Sequence, residues 1–392
     1  MRVHNTLDGN PQELYRWDSV ADIARRLIGF RYLLLPYLYT LLYNAHTMGS
    51  TVYNALWIHF PTDPVCVSSA VDGQYMWSDG LLFTPVVTQG ESTVRGYFPK
   101  GVWYTLMGDM GESLMGESSA GLKDPDHDGD RRERGVEEGK EGVQGVQGED
   151  RKVIFAKTGQ WITLPTPQST TNVHIRGGTI LPLHTPTTTT TGTGLTTTAL
   201  RRSPYTLMIA LNETWEASGK LYIDDGEERV AWNDEEGGIG GKQGKGQGGG
   251  RDTTHYTLMS YVVRREDKDT GGLRTLQSRL LSFHYTESTS CCEFNRQVVE
   301  QVEVLDWSTP SSSPSSPSSP DITCPGTLLF NTVAAKGLKG TMYDHAMYDP
   351  KQLSRQVKAS VTGRVKEGKV TFPLLHLRVP IASEFTLQWE CK

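Results

Sequence analysis

Apolar residues crowd one early stretch of the chain. Between Leu27 and Tyr43 they fall on nearly every side of a helical projection, through the run Arg31-Tyr32-Leu33-Leu34-Leu35-Pro36-Tyr37-Leu38-Tyr39-Thr40-Leu41-Leu42-Tyr43. The pattern predicts a helix that Asp18 or Ser19 can cap at its start and that should stop at Gly49. A helix apolar all round is buried in a large core or in a membrane. Arg31 and Pro36 lie inside a stretch barely long enough to span a bilayer, so a buried soluble helix is the reading adopted. Leaving about ten such side chains in water, at roughly 1.5–3 kcal/mol each, outweighs a typical net stability of about 5–15 kcal/mol. Nearby in sequence, only Leu56, Trp57, Ile58 and Phe60 of the strand-like run Thr51 to Phe60 can help cover it. The stretch therefore reads as the last helix of an assembly whose earlier part lies outside this chain. It predicts an uncovered face of Leu27, Leu34, Leu35, Leu38 and Leu42, and better solubility for a chain starting near residue 61.

From residue 61 the texture changes to short apolar runs broken by Pro and Gly. Leu81 to Val87, Trp161 to Leu164, Asn172 to Ile175 and Thr179 to Leu183 read as strands, and their spacing predicts a β-sandwich. A second β unit starts near residue 203, with strands at Tyr205 to Leu211, Leu221 to Ile223, Tyr256 to Val263 and Leu280 to Tyr285. At its end Phe385, Leu387 and Trp389 alternate with polar residues, as in a half-buried strand. Residues 118–152 and 236–250 are Gly-rich and polar, 185–198 almost all Thr and Gly, and 308–320 Ser and Pro. These read as disordered loops and joints. The expected division is 1–60, 61–188 and 189–392, in a mainly β chain.

Composition changes the picture little. The 392 residues hold 41 Gly and 20 Pro, as β structure with long loops requires, and the net charge of −6 argues against a nucleic-acid partner. Met1-Arg2-Val3-His4-Asn5 begins no apolar signal segment. Five cysteines without metal-ligand spacing leave the redox compartment open. Three short strings invite chemistry. Asp124-x-Asp126-x-Asp128-Gly129 opens like a calcium loop, but position twelve is Gly135 instead of a bidentate Glu and Pro125 stands second, so solvated loop is preferred and no metal or cofactor is expected. Asp224-Asp225-Gly226-Glu227 is read as a turn between strands. Asn212-Glu213-Thr214 is a glycosylation sequon, meaningful only on the secretory route.

Seven ordered blocks carry a resemblance. They are Arg31-Tyr32-x-Leu34-Leu35-Pro36-Tyr37-Leu38-Tyr39-Thr40-Leu41 with Phe60-Pro61-Thr62-Asp63; Gln74 to Trp77; Leu81 to Val86; Gly96 to Pro99 with Trp103-Tyr104; Gly159 to Pro165; Asn172 to Gly178; and Gly219 to Glu227. Together they resemble the C-terminal portion of glycoside hydrolase family 31 α-glucosidases. The resemblance implies the end of a (β/α)8 barrel over 1–60, with 51–60 as its eighth strand, followed by two β-sandwich domains. It implies a retaining hydrolase of terminal α-1,4-glucosidic bonds, a lysosomal or secretory location and an α-glucoside oligosaccharide substrate. Within Arg2-x-His4, His4 matches the family histidine that binds the cleaved sugar; Val3 stands where the family usually has Asn, and Asn54-Ala55 where it commonly has Arg-Pro. Such enzymes use two carboxyl groups. In this family the nucleophile is the Asp of a Trp-x-Asp-Met-Asn-Glu type motif, and the acid/base is an Asp after the sixth barrel strand. Neither motif occurs in the 392 residues, and Trp77-Ser78-Asp79-Gly80 is read as a turn. No residue of the chain is assigned a catalytic role, and the isolated chain is expected to be inactive. The alternative class is a stand-alone, non-catalytic β-sandwich protein binding carbohydrate or a partner.

Overall fold

The computed structural model describes residues 12–106, 153–167, 171–184, 196–201, 203–224, 256–266, 272–284, 298–306, 323–333, 353–366, 369–374 and 384–391, besides residues 9, 377, 379 and 380. His4, the Asp124 loop, Asp225 to Glu227, Cys291, Cys292 and the runs 118–152, 236–250 and 308–320 lie outside them.

The apolar N-terminal stretch forms two helices, α1 (Asp18–Leu33) and α2 (Leu35–Met48). They part at Leu34 because Pro36 has no N–H to continue the first helix and fits the first turn of the second. Gly49, at φ 68°, caps α2 in the left-handed conformation and donates its N–H to the Ala45 carbonyl. No side chain caps α1; Trp17 occupies the capping position. The strand expected over 51–60 shortens to β1 (Tyr53–Asn54), followed by the single helical turn α3 (Leu56–His59). β1 is the edge of its sheet, so the residues after it satisfy their backbone locally, with Ile58 N–H bonded to Ala55 and Phe60 N–H to Leu56.

The first β unit stacks two sheets. β1 is followed by β2 (Tyr75–Trp77), β3 (Leu81–Thr84), β8 (Asn172–Arg176), β5 (Gly101–Thr105) and β6 (Val153–Ala156) in a six-stranded antiparallel sheet. β4 (Thr93–Phe98) and β7 (Gln160–Pro165) form a hairpin-like pair beside it. Strand alternation divides the cores. Leu82 and Trp103 face the β4–β7 pair with Phe98 and Leu164, while Leu81, Val102, Tyr104, Val173 and Ile175 face the helices.

The change of sheet falls at the Gly177–Gly178 turn. β9 (Thr179–His184) joins the second sheet, pairing with β10 (Tyr205–Ala210) over six residues. From β10 the order runs through β9, β11 (Ala217–Asp224), β12 (Tyr256–Arg265), β13 (Arg274–His284), β19 (Phe385–Trp389), β15 (Thr323–Val333), β16 (Leu353–Lys366), β17 (Lys369–Pro373) and β14 (Val298–Leu305). β14 then pairs in parallel with β10, which closes the sheet on itself. Its interior holds Leu221, Met259, Tyr261, Leu276, Leu328, Phe372, Leu387 and Trp389. A disulfide joins Cys324 on β15 to Cys391 beyond β19, across 67 residues of sequence.

The expected bare helix face does not exist. Phe30, Leu34, Tyr37, Leu38 and Leu41 share one buried cluster with the first sheet and with Leu181, Leu183, Met208, Ala210 and Leu305 of the second. Leu34 is 1% exposed, Leu27 and Leu35 are half-buried, and only Leu42, at 49%, stands out. The β units supply the partner surface that sequence neighbours could not. Among the described residues no helix is long and apolar enough to cross a membrane.

Two buried histidines make the fold sensitive to acid. His174 on β8 is 1% exposed and packs edge-on to Phe98, and His184 on β9 lies against Tyr205. Burial pushes both down to about 4, and Arg201 adds to the effect at His184. The folded state keeps both rings neutral while the unfolded chain protonates them near pH 6.5, so their contribution is full above that value and is lost as pH falls toward 4. Denaturant unfolding at pH 4.5 should show a loss of about 2–3 kcal/mol per histidine relative to pH 7. His174→Asn should remove its share of that slope.

Candidate functional site

Two of the sequence blocks meet where α2 crosses the second sheet. Tyr39 donates its hydroxyl to Asp224 Oδ2 at 2.6 Å, linking residues 185 apart. One residue on, Thr40 Oγ1 accepts the Tyr222 N–H at 3.0 Å and donates to the Pro36 carbonyl at 2.8 Å. A turn later Tyr43 stacks on Tyr222 with ring centroids 4.0 Å apart. The spacing of the block is thereby explained: Tyr39, Thr40 and Tyr43 lie on one side of α2, and β11 offers its end to them. Tyr37, on the other side, donates to the Trp77 carbonyl at 3.2 Å. Asp224 is no turn residue but the last residue of β11, 5% exposed and paired with Tyr256, with Arg201 4.0 Å away. Burial and the adjacent Asp224 hold the Tyr222 phenol well above its ordinary value. A hydrogen bond to a buried carboxylate is worth about 1.5–3 kcal/mol, so Tyr39→Phe should cost that much in a denaturant titration.

A second polar group gathers after β1. Asn54 is buried; its side-chain oxygen accepts from Thr51, and its Nδ2 donates to His59 Nε2 at 2.9 Å. Burial lowers the His59 pKa, outweighing nearby Asp79, while Arg176 lowers it further and the Ser78 backbone raises it. With Nε2 occupied, His59 holds the chain in place and has no lone pair ready for a substrate proton. Arg176 covers the Phe60 ring at 4.7 Å. Asp63 accepts from the Val65 N–H at 3.0 Å and from Tyr97, whose hydroxyl reaches both carboxylate oxygens at 2.8 and 3.0 Å. Beside it, burial pushes the Cys66 thiol up to about 12, which makes it inert. Around these groups lies an open cleft of about 400 Å³, lined in part by His59, Asp63, Tyr97 and Lys100.

Four acidic side chains of the described residues are tied into the structure: Asp63 to Tyr97, Asp224 to Tyr39, Asp306 to Arg274 at 2.8 Å, and Glu303 to Lys369 at 3.1 Å, whereas Glu300 on β14 is half-buried with its pKa raised by burial. Asp79 sits in the β2–β3 turn expected of it, where Ser78 has φ 49°. Among the described residues no group of three or more His, Cys, Asp or Glu could hold a metal. Asn212 is described, in the turn between β10 and β11; His4 is not. The junction of α2 with β11 escaped sequence reasoning. The blocks themselves were its only signal, since two polar strings inside otherwise apolar elements need a common reason.

Comparison with known proteins agrees with this architecture. Residues 1–41 match the glycosyl hydrolases family 31 TIM-barrel domain, and residues 49–181 the glycosyl hydrolase family 31 C-terminal domain. Lysosomal alpha-glucosidase of Rattus norvegicus is 41% identical over 228 residues, 58% of this chain and 20% of the relative. Alpha-glucosidase of Hordeum vulgare is 34% identical over 226 residues, again 58% of this chain and 20% of the relative. The chain thus spans about a fifth of the length of the curated relatives it matches. In fold it is similar to a glucosidase II alpha subunit, with TM-score 0.58 at 17% identity over 97% of this chain and 30% of that one. A Flavobacterium johnsoniae dextranase is similar with TM-score 0.52 over 97% and 34%. The family matches thus lie in two stretches, a barrel-domain match at the start of the chain and a C-terminal-domain match after it, both to glycosyl hydrolase family 31.

Proposed function

We propose that residues 1–392 serve as the C-terminal portion of a retaining α-glucosidase acting on terminal α-1,4-glucosidic bonds of maltose- or glycogen-type substrates, on the lysosomal or secretory route. The observation that supports this most is the joint burial of α1 and α2, which carry barrel-family sequence, against both β units. In this reading the β units hold the end of a barrel in position, and the barrel supplies the two carboxyl groups. His4 binds the sugar at the cleaved bond, with Val3 and Asn54-Ala55 as departures from the family pattern around it. The parts divide near residues 60 and 188 in this reading, with β9, ahead of the second division, already paired into the second sheet. The reading also assigns the exposed side of this region, with Trp17, Tyr53 and Trp57, to the contact with the barrel.

A chimera tests this directly. Residues 1–392 would replace the segment they match in rat lysosomal alpha-glucosidase, and maltose hydrolysis would be measured on the secreted protein. The expected result is activity that a version lacking the segment does not have. A secreted chimera with a single cooperative unfolding transition and no turnover, with or without Val3→Asn, would overturn the proposal.

A further inference from the structure

We propose that Asn212 carries an N-linked oligosaccharide. The sequon Asn212-Glu213-Thr214 forms the turn between β10 and β11, with Thr214 exposed. Asn212 Oδ1 lies 2.9 Å from three donors, Thr214 N–H, Glu216 N–H and the Thr214 hydroxyl, whose one proton Glu216 Oε2 also faces at 2.9 Å. Trp215, at φ 59°, donates its N–H to the Asn212 carbonyl, and Arg265 stacks on its ring at 4.3 Å. The carbonyl oxygen is thus fixed by the turn, and linkage through Nδ2 leaves its donors in place.

The turn lies at the surface, with Thr214 and Glu216 exposed and Asn212 half-buried. Two neighbouring turns approach this one with glycines. A Cβ at Gly178 (φ 99°) would stand 3.8 Å from Asn212 Nδ2, and one at Gly177 only 2.8 Å from the Leu211 carbonyl. Gly101, at φ 145°, faces Glu213 in the same way, its Cβ position 3.9 Å from Oε1. At these three positions glycine backbone packs around the sequon. The chemistry is a transfer from an oligosaccharyl pyrophosphate lipid. Nδ2 forms a bond to C1 of the sugar, the C1–oxygen bond to the pyrophosphate breaks with its electron pair, and the amide gives up one proton to the transferase.

The inference rests on the secretory reading proposed above, so two arms are needed. In the first, the full chain is secreted from a eukaryotic host behind a cleavable leader, which supplies the route. Treatment with peptide N-glycosidase should produce one mobility step, lost in Asn212→Gln and Thr214→Ala and kept in Thr214→Ser. Glycopeptide mass spectrometry should place the sugar on Asn212. An unmodified Asn212 in molecules whose Cys324–Cys391 disulfide has formed overturns the site itself. In the second arm the protein is isolated from its own source. There, the disulfide together with the glycan supports both claims. Reduced cysteines with an unmodified Asn212 overturn the secretory reading and the glycan with it.

Discussion

Deleting residues 1–60 is expected to unfold the β units or leave them molten, and not to release them as a more soluble pair. The sequence points the other way, because α1 and α2 look like a burden when the sheets are not in view. In the structure, Phe30, Leu34, Tyr37, Leu38 and Leu41 cover Trp77, Leu81, Ile175, Leu181 and Leu183. Removing five large side chains at roughly 1.5–3 kcal/mol each withdraws about 10 kcal/mol, comparable to the whole stability of a typical domain. The deletion also removes β1 and Leu56, a buried member of the core between the two sheets of the first unit. Circular dichroism and dye binding on the truncated chain should show lost near-UV signal and exposed apolar surface. A truncated chain that unfolds at the same denaturant concentration as the full one would refute this packing.

Gly219→Val is expected to be the most damaging single change outside the aromatic core. A Cβ at Gly219 would lie 2.3 Å from the Ile180 carbonyl oxygen and 2.9 Å from Ile180 Cβ, so the obstacle includes backbone, which cannot rotate away. β9 and β11 touch there in parallel through Ser218 and Thr179, and the Ser218 N–H bonds the Gly178 carbonyl. Forcing the strands apart would strain the place where the first unit hands over to the second. Overpacking in a well-filled core costs typically about 1–3 kcal/mol, and a backbone obstacle puts this change at or above the upper end. Gly90→Ala is the control. Its turn (φ 84°) is open, with nothing within 4 Å of the added carbon, so only the conformational cost of about 1 kcal/mol applies. Equal losses for the two would show that the close approach at Gly219 has no energetic weight.

What the sequence revealed followed from local physics. Gly49 announced the end of α2 because only a residue without Cβ takes that conformation easily, and Phe385, Leu387 and Trp389 showed alternation that the structure places inside the closed sheet. β10 was visible as a continuous apolar run, and all six of its residues are buried. β14 and β16 were missed because their inward residues are diluted by polar ones. β14 carries Glu300, Gln301 and Glu303, with Glu303 neutralised by Lys369 from β17. β16 gains its place through an eleven-residue register with β15 and a shorter pairing with β17. Long-range partners were out of reach for the same reason. Asp224 followed by Asp-Gly reads as a turn until Tyr39 arrives from 185 residues away, and five cysteines do not reveal that Cys324 pairs with Cys391. The family blocks named the site's members. Only the fold showed that they bind one another.

These residues give structural support. Enzymes lower barriers by roughly 8–23 kcal/mol, and glycoside cleavage draws on two carboxyl groups held on either side of the bond. Among the described residues the buried carboxylates Asp224, Glu303 and Asp306 each face a cation or a phenol that holds them in place. The most direct test is therefore glucose release by purified residues 1–392, given maltose and a chromogenic α-glucoside. No turnover above the uncatalysed rate is expected at any pH between 4 and 7. Turnover that disappears when one of the chain's own carboxylates is replaced by its amide would contradict this.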